Sequence, residues 1–142
     1  MQVLKEENYT PMKYLITGAT GNIGALVVER LLGWGHRPRV FVRDTAKARA
    51  LHGPCVDISV GDLADAESIA TALRGIDTIF LINSGPDLVA RDDLAARIAK
   101  AAGTKRIVKL STLDVEQRVG TGVWHVVFRG EVIPFLLNSC NS

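Results

Sequence analysis

A chain of 142 residues that is 47% hydrophobic and 23% charged has the size and composition of one globular domain, which argues against a disordered chain or a second domain. Its formal net charge of +2, with basic and acidic residues evenly mixed, gives no indication of a nucleic-acid-binding surface. No apolar run approaches the length of a membrane span and the two cysteines, Cys55 and Cys140, lack metal-ligand spacing, so we expect a cytoplasmic protein with free thiols and no metal.

Short apolar segments alternate with amphipathic segments along most of the chain. Five of the apolar segments are predicted strands: Lys13–Thr17, Arg39–Val42, Asp57–Val60, Thr78–Ile82 and Arg106–Leu110. The segments between them are predicted helices: Asn22–Trp34, Thr45–Leu51, Ala66–Leu73 and Asp87–Ala102, with Thr45 and Asp65 as N-terminal caps. The alternation predicts an α/β protein of the Rossmann type, three layers deep, with a mainly parallel sheet of about five strands in the order 3-2-1-4-5.

The two ends of the chain do not follow this pattern. Residues 1–11 are expected to be an N-terminal extension that contributes little to the fold. In the segment Val123–Leu137, a helix over Glu131–Leu137 with Pro134 in its first turn and an irregular tail are both compatible with the sequence. An irregular tail would leave Ile107–Leu110 near an uncovered sheet edge, so we expect a homodimer or larger oligomer.

A glycine-rich turn with the sequence TGATGNIG, Thr17–Gly24, joins the first strand to the first helix. Gly18 can make the tight turn, Gly21 lets the backbone approach a pyrophosphate, and Gly24 lets the helix pack closely. Spaced glycines become informative in this strand-to-helix context, and they predict dinucleotide binding. A turn that serves packing alone is the alternative.

The first turn of the following helix is the expected phosphate site. Unpaired backbone amides near Asn22 and Ile23 point toward the ligand, and the helix dipole favours negative charge there. Thr20, in the same turn, is included among the expected cofactor-binding residues.

The end of the second strand bears on which dinucleotide binds. NAD binders place an acidic residue there and NADP binders an arginine. The strand ends Val42-Arg43-Asp44, and Lys47 follows one helical turn later. Arg43 and Lys47 favour NADP(H), with NAD(H) possible because Asp44 can accept a ribose hydrogen bond or pair with Arg43.

Asp62 and Leu63 follow the third strand, at the edge where an adenine would lie. The carboxylate can accept a hydrogen bond from the adenine amino group and Leu63 can cover the ring. The alternative for Asp62 is a capping role before the next helix.

These motifs together resemble the NmrA-like atypical members of the short-chain dehydrogenase/reductase superfamily, which include NADPH-dependent quinone reductases and azoreductase-like proteins. The resemblance rests on four blocks in the same order: Thr17–Gly24, Val42–Asp44 with Ala46–Ala48, Gly61–Leu63 and Arg106–Thr112. It implies that Arg43 meets the 2′-phosphate, that Asp62 and Leu63 meet the adenine, and that Asn83 and Ser84 lie on the ribose and pyrophosphate side. It also implies that Ser111 lies at the nicotinamide edge.

Members of that family are longer and carry a substrate-binding part, so residues 12–142 are expected to be a truncated NAD(P)-binding Rossmann domain. We assign no catalytic residue, and interpret His125 beside Trp124, and Lys109 within the fifth strand, as structural. The function that follows is the NADP(H)-binding domain of an oxidoreductase, which would reduce a small acceptor such as a quinone. The alternative is a non-catalytic module that senses NADP(H) or binds a partner protein.

Overall fold

The computed structural model describes residues 12–112, 122–128 and 131–135. Its elements in chain order are β1 Tyr14–Thr17, α1 Asn22–Gly33, β2 Arg39–Val42, α2 Thr45–His52, a 3-10 turn Gly53–Cys55, β3 Asp57–Val60, α3 Ala66–Ala72, β4 Thr78–Leu81, α4 Leu88–Ala101, β5 Arg106–Thr112, β6 Gly122–Phe128 and β7 Glu131–Phe135. The five predicted strands and four predicted helices all form. Their ends lie within two residues of the predicted ones.

The described strands form a single sheet in the order β3-β2-β1-β4-β5-β6-β7. β1 to β5 are all parallel and take the predicted order 3-2-1-4-5, so the predicted Rossmann fold is confirmed. β6 pairs antiparallel with β5, from Arg106 opposite Phe128 to Thr112 opposite Gly122. β7 pairs antiparallel with β6 in turn.

The two antiparallel strands correct the expectations for the C-terminal segment. The predicted helix over Glu131–Leu137 is wrong, because Glu131–Phe135 is strand β7 and the two residues after it lie outside the described part of the chain. Pro134 is compatible with β7 because that strand has a sheet neighbour on one side only among the described strands. The expected open edge at Ile107–Leu110 is also wrong, since β6 covers it.

Helices cover both faces of the parallel part of the sheet. Leu15 and Ile79 pack with α3 and α4 on one face, while Ile16 and Val40 pack with α1 and α2 on the other. Neighbouring residues of a strand point to opposite faces, so a strand covered on both sides buries apolar residues at successive positions, as Leu15 and Ile16 of β1 do. In the described part of the chain, no helix combines the length and apolar character that a membrane span requires.

Thr17 and Asp77 tie the parallel strands together at their two ends. At the carboxyl end, the Thr17 hydroxyl donates to the Ile82 carbonyl at 2.9 Å and accepts from the Ile82 amide at 2.8 Å. At the amino end, the Asp77 carboxylate accepts from the Lys13 amide at 2.9 Å, and this hydrogen bond lowers the pKa of Asp77. The Thr17 contacts fix the carboxyl ends of β1 and β4 side by side, where the candidate site lies.

Candidate functional site

A cavity of about 210 Å³ opens at the carboxyl edge of the parallel strands. Its walls come from the ends of β1, β2, β3 and β4 and from the first turn of α4; the lining residues are Thr17, Gly18, Ala19, Thr20, Phe41, Val42, Arg43, Gly61, Asp62, Leu63, Ile82, Asn83, Ser84 and Arg91. The strand order reverses between β1 and β4, and open α/β sheets bind ligands at such a point. The sheet topology therefore places this cavity where a nucleotide would be expected.

Two glycines of the turn are required by its geometry. Gly18 has a φ of +62°, and a Cβ on it would lie 2.7 Å from the Ile82 carbonyl oxygen. A Cβ on Gly24 would lie 2.0 Å from the Gly18 carbonyl oxygen, so the close contact of Gly24 is with the backbone of the turn itself. At Gly21 a Cβ would meet only the Gly18 oxygen, at 3.3 Å. Internal packing is therefore less restrictive at Gly21 than at Gly18 or Gly24, and the approach of a ligand is the predicted reason for glycine there.

The N-terminus of α1 has no side-chain cap, and its first-turn residues Asn22 and Ile23 are exposed. The Gly21 amide is used within the turn, where it donates to the Gly18 carbonyl at 3.0 Å. An uncapped helix start with exposed amides is suited to an anion, because those donors need an acceptor. Thr20 is half-buried and lines the cavity beside this helix start.

His52, the last residue of α2, contacts the backbone of the glycine turn. Its Nε2 atom lies 2.7 Å from the carbonyl oxygen of Ala19, which is fully buried. Because a carbonyl oxygen can only accept, Nε2 must carry the proton. The sequence did not reveal this contact, since the two residues are 33 positions apart and belong to different elements.

Arg43 is exposed, lines the cavity and makes no hydrogen bond or ion pair with any residue that the structure describes. Asp44 does not pair with it. Instead, Asp44 has an extended backbone and its Oδ1 atom accepts from the Lys47 amide at 3.2 Å, which makes Asp44 the cap of α2. The prediction that Thr45 caps this helix is therefore wrong by one residue, because Thr45 is already helical. Lys47 is exposed and does not line the cavity.

Asp62 and Leu63 lie at the β3 end of the cavity. The Asp62 Oδ1 atom accepts from the Ala64 amide at 2.8 Å, and Asp65 caps α3 by accepting from the Glu67 amide, as predicted for Asp65. The alternative in which Asp62 caps the helix is therefore wrong. Leu63 is partly buried and packs against the core on the α3 and α4 side.

Asn83 and Ser84 line the other end of the cavity, beyond β4. The Asn83 Oδ1 atom accepts from the Ser84 amide at 2.9 Å, so this oxygen shapes the turn. The Asn83 Nδ2 atom is buried and has no hydrogen-bond partner among the described residues. A buried donor without an acceptor is costly, which is the expected condition of a ligand-binding group whose ligand is absent. Ser111 lies near the carboxyl end of β5, opposite Val123.

Two polar lining residues were not predicted from the sequence. Thr17 closes β1, and only its final position in a strand next to the glycine turn could have indicated its role. Arg91 lies in the first turn of α4, with 33% of its side chain exposed. The sequence places this arginine one turn into a helix that starts at the same sheet edge, which could have indicated a role in the site. Helical periodicity alone, however, does not show which face of the helix meets the cavity.

Comparison with known proteins identifies the family of this chain. A family model described as NAD(P)H-binding matches residues 18–132, which is most of the chain. The chain therefore belongs to this family of NAD(P)H-binding domains.

Its relatives include reductases of the kind that the sequence resembles, so the expected family is confirmed. An NAD(P)H azoreductase of Xenophilus azovorans is 40% identical over 96 residues, which is 66% of this chain and 33% of the relative. The NADPH complex of an NADPH-dependent quinone oxidoreductase from Escherichia coli has a TM-score of 0.65 and 33% identity over 70% of this chain and 37% of that one. The NADP(H) complex of Citrobacter sp. triphenylmethane reductase has a TM-score of 0.65 and 28% identity over 76% of this chain and 40% of that one. The chain spans about a third of the length of such curated relatives.

Proposed function

We propose that this chain is the cofactor-binding part of an NADP(H)-dependent reductase and that Arg43 gives it a preference for NADPH over NADH. The observation that carries the preference is the Arg43 guanidinium, which lines the cavity without any partner among the described residues. A planar guanidinium suits the 2′-phosphate of NADPH, which NADH lacks. The acidic neighbour that could have favoured NADH, Asp44, uses a carboxylate oxygen to cap α2.

The proposed cofactor runs along the sheet edge in the order of the strands. Its adenine lies by Asp62 and Leu63 after β3, its 2′-phosphate by Arg43 after β2, and its pyrophosphate at the glycine turn after β1. The nicotinamide half then extends past β4. All of these positions line one cavity, which supports a single extended ligand rather than separate sites.

The residues assigned to the pyrophosphate are those of the turn, namely Gly18, Thr20, Gly21, Asn22, Ile23 and Gly24. Lys47, one helical turn after Arg43, is assigned as a second positive charge for the 2′-phosphate. Asn83 and Ser84 are assigned to the ribose and pyrophosphate side of the cofactor, and Ser111, near the carboxyl end of β5, to the nicotinamide edge. The uncapped start of α1 supports the pyrophosphate position, and the buried, unpaired Asn83 amide supports the ribose position.

When bound, NADPH supplies a hydride that can reduce a small acceptor such as a quinone. We place residues 12–142 in the cofactor-binding part of such an enzyme, and the acceptor in the part of the relatives that this chain does not span. The named activities of the relatives, quinone and azo reduction, give the acceptor classes to screen.

Titration of the chain with NADPH and with NADH tests the cofactor preference. The Arg43→Ala variant should lose about tenfold in NADPH affinity, the lower end of the range for a charged hydrogen bond, because the site is exposed to water. Its NADH affinity should change by less than about twofold, since no 2′-phosphate is present. The exposed Arg30, which does not line the cavity, provides the control variant Arg30→Ala. Absence of NADPH binding by the wild type, or equal losses for both cofactors in Arg43→Ala, would contradict the proposal.

Self-association is a separate proposal. The expected contact through β5 is excluded by β6, so the remaining open edges among the described strands are those of β3 and β7. Unpaired strand edges favour pairing with another chain, and we expect a dimer or larger species in sedimentation velocity at micromolar concentration. A sedimentation coefficient of the monomer alone at every concentration would refute it.

A further inference from the structure

Arg91 lines the same cavity from the first turn of α4, the helix that follows β4. Its one ion-pair partner within the described residues is Asp87, with 4.0 Å between Nη2 and Oδ2. That distance is too long for a hydrogen bond, and a pair of this type one turn apart on an exposed helix is weak. The guanidinium therefore keeps most of its N–H donors for another acceptor.

The position of Arg91 along the sheet edge identifies which part of a dinucleotide it can reach. Arg43 follows β2, the glycine turn follows β1 and Asn83 follows β4, and these strands are adjacent in the order β2-β1-β4. A dinucleotide with its 2′-phosphate at Arg43 must cross β1 to reach Arg91. The half of the ligand that meets Arg91 is therefore the nicotinamide half.

Arg91 also approaches from the opposite face of the sheet to α1. The helix α1 packs in the layer with α2, whereas α4, which carries Arg91, packs in the layer with α3. The pyrophosphate would thus meet the amides of α1 from one side and the guanidinium from the other. Asp62, the acidic residue among those lining the cavity, follows β3 and makes no ion pair with Arg91 in the described part of the chain.

A second observation points to a ligand at the same end. Asn83 lines the cavity with Arg91, and its buried Nδ2 atom has no acceptor within the described part of the chain. Two donors, one charged and one neutral, thus lie at the β4 end of the cavity with few acceptors assigned to them. A phosphate next to a ribose would provide acceptors for both.

We propose that Arg91 binds the nicotinamide-side phosphate of the dinucleotide, so that the 2′-phosphate and the pyrophosphate are bound by two different arginines. This rests on the proposed NADP(H) binding and deepens it. Arg43 selects between NADPH and NADH, whereas Arg91 serves both, because both carry the same pyrophosphate.

The test compares Arg91→Gln and Arg91→Lys with the control Arg97→Gln in the full chain. Arg97 lies on the same helix with 78% of its side chain exposed and pairs with Asp93. Three ligands are titrated: NADPH, NADH and adenosine 2′,5′-bisphosphate, which keeps the adenosine and its two phosphates but lacks the nicotinamide nucleotide. Arg91→Gln should lose about tenfold in affinity for NADPH and for NADH and less than about twofold for the bisphosphate. Arg91→Lys should show a smaller loss, because a point charge replaces a bidentate fork.

Several outcomes overturn the proposal. If Arg91→Gln binds NADPH as the wild type does while Arg43→Ala shows its selective loss, the role of Arg91 fails and the cofactor proposal stands. An equal loss for the bisphosphate places Arg91 on the adenosine side, and an equal loss in Arg97→Gln shows a general charge effect. If the wild type binds neither cofactor, both proposals fail together. Circular dichroism of each variant separates lost binding from lost folding, and Arg91→Lys serves as the test should Arg91→Gln unfold.

Discussion

Replacing Gly24 with alanine is expected to destabilise the fold by about 3 kcal/mol and to abolish measurable NADPH binding. The added Cβ would lie 2.0 Å from the carbonyl oxygen of Gly18 and 2.6 Å from its carbonyl carbon. Both are backbone atoms, which cannot rotate away as a side chain can. Gly18 is itself closely packed, because a Cβ on it would lie 2.7 Å from the Ile82 carbonyl oxygen, so it cannot easily move away from Gly24. The turn must therefore open, and the amides of α1 lose their arrangement.

Two other glycines provide matched controls for Gly24→Ala. Gly33 ends the same helix and has no atom within 4 Å of a built Cβ, so Gly33→Ala should leave stability equal or raise it by about 0.5 kcal/mol. Gly21→Ala should change stability by less than about 1 kcal/mol, because its backbone is extended and the nearest atom is 3.3 Å away. Urea unfolding of the three variants measures these differences. If Gly24→Ala is as stable as Gly33→Ala, the turn can rearrange to accept the added Cβ. The close contact with Gly18 would then not explain why position 24 is glycine.

The parallel half of the fold could be predicted because its signals are local. Each of the strands β1 to β5 is a short, mainly apolar segment, and each of β1 to β4 is followed by a turn that contains glycine or a helix-capping residue. Strands covered on both faces are mainly apolar, which makes them visible without knowledge of their neighbours. The glycine turn was equally visible, because the positive φ of Gly18 and the contact of Gly24 with the Gly18 backbone both arise within eight residues.

The parts that could not be predicted depend on partners distant in sequence. β6 and β7 contain Val, Ile and Pro134 in a pattern compatible with several structures, and it is pairing with β5 that makes them strands. The contact of His52 with Ala19 follows from the packing of α2, and no periodicity encodes it. The cap of α2 was misassigned for a different reason. Asp44 and Thr45 are both good caps, and only the backbone conformation distinguishes them.

Replacing Lys109 with methionine is expected to destabilise the fold by about 3 kcal/mol. Lys109 lies in the interior of β5, and its Nζ atom pairs with the Asp92 carboxylate on α4. Only 10% of the Asp92 side chain is exposed, and its Oδ1 atom already has no hydrogen-bond partner among the described residues. Without Lys109 the carboxylate stays buried without a counter-charge, and burial of an unpaired charge costs far more than the pair contributes.

A double-mutant cycle identifies this cause. The variant that combines Asp92→Asn with Lys109→Met should recover part of the stability lost in Lys109→Met alone, because it removes the buried charge along with its partner. Lys105→Met is the matched control: its side chain is 72% exposed and lies 3.5 Å from Asp77, so screening by water should hold its effect below about 1 kcal/mol. Two results would show that Asp92 does not need its counter-charge. One is a loss of stability in Lys109→Met no larger than that in Lys105→Met, and the other is a double variant no more stable than Lys109→Met alone. The pair would then contribute little to holding α4, and with it Arg91, against the sheet.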